Sequence, residues 1–147
     1  DPTHQHDKEG TLDQVIVEMG KELAGRCSGK LVVLHTYQRL IEIGAYAKLS
    51  FKPVKLPIEE LDRKTREDHR QKLDELAGRN GIPADAVHQL PGRTRELLPT
   101  FARTQGADLV IMGALARSGL RRRTLGSTAE QVLDFLPCDI LIARAPT

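Results

Sequence analysis

Residues 112–132, MGALARSGLRRRTLGSTAEQV, concentrate the charged chemistry of this chain. Arg117, Arg121, Arg122 and Arg123 stand among Gly113, Gly119 and Gly126, and no acidic residue falls between Asp108 and Glu130. The run leaves an apolar stretch at Met112 and Gly113 and enters a helix at Ser127, where Ser127 and Glu130 spell the capping box S-x-x-E. A helix amino terminus exposes backbone N–H groups and the positive end of a dipole, so such a turn suits an anion, above all a phosphate. Gly113 would serve that task through positive φ and close ligand approach. The alternative is a solvated connection in which Ser127 only caps its helix and the glycines only turn the chain. The Walker lysine pattern and an early G-x-G-x-x-G are both missing, so spacing alone leaves the two readings open.

No catalytic constellation accompanies the loop. Ser127 has no base partner in the sequence, neither Cys27 nor Cys138 has a nucleophile context, and no paired carboxylates flank a motif. An enzyme is therefore not expected. His4 and His6, with Asp1 and Asp7, are spaced like a polar loop rather than a metal site, and two cysteines exclude a Cys₄ or Cys₂His₂ zinc centre. Two distant cysteines without a signal-like segment read as free thiols in a reducing cytoplasm. His35 is expected as a hydrogen-bonded imidazole at the end of a strand rather than as a base.

The elements that must position these residues follow from periodicity. Residues 11–27 put Leu12, Val15, Ile16, Met19, Leu23 and Cys27 on one helical stripe, with Thr11 and Gln14 as a capping box. Residues 30–36, KLVVLHT, form a short apolar run that suits a strand covered on both faces. Residues 56–79 alternate charge, with Glu59–Arg63, Glu60–Lys64 and Asp62–Arg66 at helical spacing, and predict a solvated helix docked through Ile58, Leu61, Leu73 and Leu76. A strand over 84–90 follows. A helix over 94–105 comes next, carrying Leu97, Leu98 and Phe101, with Pro99 expected to bend it or shift its start. Strands over 107–113 and 139–145 flank a helix from Ser127 to Phe135. Strands alternating with helices predict one domain over residues 1–147 with a parallel, doubly wound α/β sheet.

At this point the chain resembles the universal stress protein family. That family carries G-x-x-G, nine residues, then G-[ST] after its fourth strand, and Gly113, Gly126 and Ser127 fall at the matching positions. The tail GSTAEQVLDFLPCDILIARAP and the opening DPTHQHDK resemble the second domain of tandem E-type members. The resemblance implies a Rossmann-like three-layer sandwich of the adenine nucleotide alpha hydrolase-like kind, with strand order 3-2-1-4-5. It also implies a cytoplasmic stress-response protein acting through ligand binding and through dimer or tandem-domain assembly. The different-class alternative is an ATP-binding switch with weak ATPase activity. By resemblance, Asp1, Met112, Gly113, Ala116, Arg117, Gly126, Ser127 and Thr128 are the nucleotide or phosphate positions, and ATP is the cofactor in question. Ala116 departs from the pattern: it replaces the glycine at which backbone comes close to phosphate, and its methyl narrows that approach.

Three further expectations concern context. The polar opening DPTHQHDKEG runs straight into a helix, so the expected first strand is absent from the chain, which then reads as a fragment or half of a tandem protein. Ile140, Leu141, Ile142 and Ala143 are expected at the sheet edge, where a second copy or a sister domain would pair with them. Residues 37–56 are apolar without a clean period, and either fold over their own domain or line an apolar pocket. With 22 basic residues against 20 acidic ones, and no aromatics interleaved with the arginines, a nucleic-acid partner is not expected. No membrane-length apolar segment occurs.

Overall fold

The computed structural model describes residues 11–39, 57–114 and 127–144. Along the chain run α1 (Thr11–Arg26), β1 (Val33–Tyr37), α2 (Ile58–Asn80), a 3₁₀ turn (Ala84–Ala86), β2 (Val87–Pro91), α3 (Thr94–Gln105), β3 (Leu109–Gly113), α4 (Ser127–Leu133) and β4 (Asp139–Ala143). The strands form two parallel pairs, β1 with β2 and β3 with β4. Val33 lies opposite Val87 in the first pair, and Leu109 opposite Asp139 in the second. These are the pairs that the order 3-2-1-4-5 leaves when its first strand is set aside. Among the described residues, no strand joins them.

Side-chain alternation shows why helices cover both faces. In β1, His35 meets His69 of α2, while Thr36 meets Thr94 of α3 across a 2.6 Å hydroxyl contact. In β2, Val87 packs with Leu73 and Ala77 of α2, and His88 stacks edge-on against Phe101 of α3. A strand covered on both sides must be apolar or satisfied on both, and KLVVLHT meets that demand. α1 lies over β3 and β4 in the same layer as α2, and α3 packs on β1 and on α4.

Several expectations shift. α2 is docked through Leu73, Leu76, Ala77 and Asn80, whereas Ile58 and Leu61 in its first turns are exposed. The pair Glu60–Lys64 forms, but Arg63 turns forward to Glu67 at 3.0 Å instead of back to Glu59. Cys27 follows the last turn of α1 and is exposed, so it does not belong to the buried stripe. Gln14 does not cap α1. Its amide reaches Glu18 and, across the layer, Asn80. Pro99 does not shift the start of α3, which begins at Thr94, five residues earlier. Inside the helix it forgoes one backbone bond, and its buried ring fills core space.

Candidate functional site

The carboxyl end of β3 is built by packing. Leu12 and Ile16 are one turn apart on α1, and both rest on Gly113. A Cβ on Gly113 would stand 2.7 Å from Leu12 Cδ2, 2.9 Å from Leu12 Cγ and 3.0 Å from Ile16 Cδ1. Positive φ is confined among described glycines to Gly81, Gly92 and Gly106, so Gly113 is not a left-handed residue. The expectation that its glycine serves positive φ is thus corrected. The residue is small because α1 needs the space. One residue on, the Ala114 amide donates to the Ala143 carbonyl at 2.9 Å, so the β3–β4 ladder continues past Gly113.

The far end of the loop is α4, which starts at Ser127. Thr128 is exposed and Ala129 and Val132 are buried, so the helix turns the Thr128 side chain outward and its apolar face in. α4 has 7 residues. So short a helix sums few peptide dipoles, and its amino terminus alone offers only a weak positive field. Met112 is half-buried in β3. Asp1, Ala116, Arg117, Gly126 and the histidines His4 and His6 lie outside the described residues, as does the side chain of Ser127 and most of the 37–56 stretch. The structure therefore brings Gly113 and the start of α4 to the ends of one connection, at the carboxyl edge of a parallel pair. In open α/β sheets that edge is where ligands bind.

Charge is distributed unevenly along this pair. Asp108 and Asp139 sit at the amino end of the β3–β4 pair, beside Cys138. Burial, then the carboxylates of Asp139 and Asp108, raises the Cys138 thiol above its ordinary range. A neutral thiol at the end remote from the loop has no part in anion binding. Among the described residues, no group of three or more His, Cys, Asp or Glu is placed to hold a metal, and no helix is long and apolar enough to cross a membrane.

A second polar cluster lies on β1. His35 is 4% exposed, and its Nε2 lies 2.7 Å from Nδ1 of His69, one ring donating and the other accepting. The Tyr37 ring stands 5.7 Å from that of His69. Burial is the largest cause of a lowered pKa at His35, down to about 4, and the facing His69 adds to it. Burial also lowers His69, against the pull of Asp68. Both imidazoles are neutral near pH 7, and His35 is the satisfied core histidine that its sequence position predicts. His69 was missed, although it lies four and seven residues before Leu73 and Leu76 on the buried stripe of α2.

Comparison with known proteins now adds identity. The profile described as the universal stress protein family matches residues 8–144. Universal stress protein E of Escherichia coli (strain K12) is 33% identical over 140 residues, covering 90% of this chain and 41% of its own length. The chain thus spans less than half the length of that relative. A functionally unknown protein from Pseudomonas aeruginosa PAO1 superposes with a TM-score of 0.73 at 21% identity, over 99% of this chain and 45% of that one. A universal stress protein solved in complex with cAMP superposes with a TM-score of 0.57 at 19% identity, over 90% of this chain and 87% of its own.

Proposed function

We propose that this chain, which belongs to the universal stress protein family, works in the cytoplasm by binding and assembly rather than by turnover. The observation that carries the reading is the connection leaving Gly113 and re-entering the fold at Ser127, on the carboxyl edge of the parallel β3–β4 pair. In this reading Asp1, Met112, Gly113, Ala116, Gly126, Ser127 and Thr128 surround an anion, and Arg117 supplies charge-assisted hydrogen bonds. The Ala116 methyl keeps the backbone back from phosphate, so a nucleotide such as ATP binds weakly. The relative solved with cAMP supports an adenine nucleotide as the ligand class to test. Exposed Cys27 and half-buried Cys138, both free thiols, fit a reducing compartment.

Assembly would run through β4. Among the described residues β4 pairs only with β3, so its outer edge offers unpaired N–H and C=O groups along Ile140, Leu141, Ile142 and Ala143. A second copy or a sister universal stress domain takes that edge. Titration calorimetry with ATP, beside a dilution series by sedimentation, tests both halves: neither nucleotide heat nor a concentration-dependent dimer would leave the reading without support.

A further inference from the structure

Asn80 is the only asparagine in the 147-residue chain, and Gly81 follows it. An asparagine carboxamide beside the next main-chain nitrogen is a reactive pair, and glycine offers that nitrogen with no Cβ to hinder ring closure. The structure sets this pair at the end of α2 and restrains both reactants. Asn80 Nδ2 donates to the Leu76 carbonyl at 2.8 Å and to Gln14 Oε1 at 3.0 Å, while Gln14 Nε2 donates to Asn80 Oδ1 at 2.9 Å. The Gly81 N–H turns back to the Gly78 carbonyl at 3.2 Å, and Ile82 N–H donates to the Ala77 carbonyl at 3.0 Å. Gly81 has a φ of 65°, the left-handed residue that closes the helix. Lys21 Nζ donates to the Asn80 carbonyl at 2.6 Å. Two of these partners, Gln14 and Lys21, belong to α1, so the freedom of the carboxamide depends on a different helix.

We propose that Asn80–Gly81 is a site of spontaneous deamidation kept latent by α1, and that its reaction releases α1 from α2 for good. This is independent of the anion and assembly reading. In the reaction the Gly81 nitrogen gives up its proton and attacks Asn80 Cγ. The N–Cγ bond forms, the Cγ–Nδ2 bond breaks, and ammonia leaves, taking up the equivalent of that proton. Water then opens the succinimide at one of its two carbonyls, leaving aspartate or isoaspartate and one new negative charge. Ring closure requires the carboxamide to swing onto the Gly81 nitrogen, so the carboxamide bonds and the helix cap must open first. Both products lack the Nδ2 donor. Aspartate sets carboxylate oxygens against Gln14 Oε1 and the Leu76 carbonyl, acceptor facing acceptor in a junction where Asn80 is 6% exposed. Isoaspartate routes the main chain through the former side chain and displaces the Gly81 cap.

The test follows the full chain by intact mass at mildly alkaline pH, with peptide maps that locate the change and separate aspartate from isoaspartate. Unfolded in guanidinium chloride, the chain should deamidate at Asn80 at least about tenfold faster than when folded, and Gly81→Ala should slow the unfolded reaction. Gln14→Leu removes the amide partner and should speed the folded reaction severalfold while circular dichroism stays native. Lys21→Met, which removes the other α1 contact, should act in the same direction and serves in its place if Gln14→Leu does not fold. The isolated deamidated chain, and Asn80→Asp, should exchange α1 amides about tenfold faster than wild type, with α3 unchanged. Folded wild type that deamidates as fast as the unfolded chain, or folded variants as slow as wild type, overturns the latent site. Unchanged α1 exchange in the deamidated chain, with Lys21 taking over the new carboxylate, overturns the release.

Discussion

His35 Nε2 on β1 lies 2.7 Å from His69 Nδ1 on α2, joining a strand and its covering helix through two neutral imidazoles. The contact restricts protonation. A proton on both rings would set two positive charges face to face inside a desolvated layer, with Lys72 adding a third on α2 and Asp68 opposing them.

The first prediction concerns acid. His35 is lowered to about 4 in the folded chain from 6.5, so between those pH values the unfolded chain binds a proton that the folded chain does not. Stability from this group is complete above about pH 6.5 and declines as pH falls toward 4, by about 2–3 kcal/mol in all. Urea unfolding from pH 7.5 to 4 should show this slope. His69→Leu should cost about 1–3 kcal/mol by removing the imidazole that bonds His35, and His35→Leu together with His69→Leu should flatten the slope. An unchanged slope in the double variant would assign it to other groups.

The second prediction concerns Gly113. Adding a methyl in Gly113→Ala drives into Leu12, which is 5% exposed and has no room to retreat. The expected cost is about 1–3 kcal/mol without any ligand present. Trimming the opposing side chain with Leu12→Ala makes room, so the double variant should lose less than the sum of the singles. A Gly113→Ala protein as stable as wild type would return Gly113 to a purely ligand-facing role.

Much of this was legible in the sequence. KLVVLHT, ADLVIMG and DILIARA announce strands through short apolar runs, and each strand is found within a few residues of its expected bounds, although β3 and β4 are mostly half-buried rather than buried. The parallel α/β class follows from the alternation of elements. What was not legible is long-range. Gly113 ends a strand in sequence, but the residues that require a glycine there are Leu12 and Ile16, far earlier in the chain. His69 sits among so many i,i+4 ion pairs that its helix reads as solvated, and only its phase with Leu73 and Leu76 reveals the partner of His35. The site loop was legible as a pattern, G-x-x-A in place of G-x-x-G and then G-S, because that pattern is local.

A third prediction follows from Asn80, the last residue of α2 and 6% exposed. Besides the amide pair with Gln14, its Nδ2 donates to the Leu76 carbonyl at 2.8 Å, and its own carbonyl accepts from Lys21 Nζ at 2.6 Å. Asn80→Ala removes the side-chain half of this junction between α1 and α2 and should cost about 1–3 kcal/mol. Proteolysis under native conditions should accelerate at both helices together. Loss confined to α2 would show that α1 is held by β3 and β4 without this junction.

Fourth, assembly through β4 predicts a split outcome at Leu141 and Ile142. Adjacent strand residues point their amides to opposite edges, so one faces β3 and the other faces outward. Of Leu141→Pro and Ile142→Pro, one should unfold more readily and the other should stay folded and shift to monomer in a sedimentation dilution series. A wild-type chain monomeric at every concentration, or a folded proline variant that stays dimeric, would place assembly elsewhere.

The most direct measurement of binding without turnover is calorimetric titration of ATP into wild type and Ala116→Gly, with released phosphate assayed in the same samples. Removing the methyl lets the backbone approach phosphate, so the variant should bind about tenfold more tightly than a weakly binding wild type. Phosphate release should match the protein-free control in both. Absence of nucleotide heat in both proteins would contradict the anion site, and steady phosphate release by wild type would contradict the claim that the chain acts by binding alone.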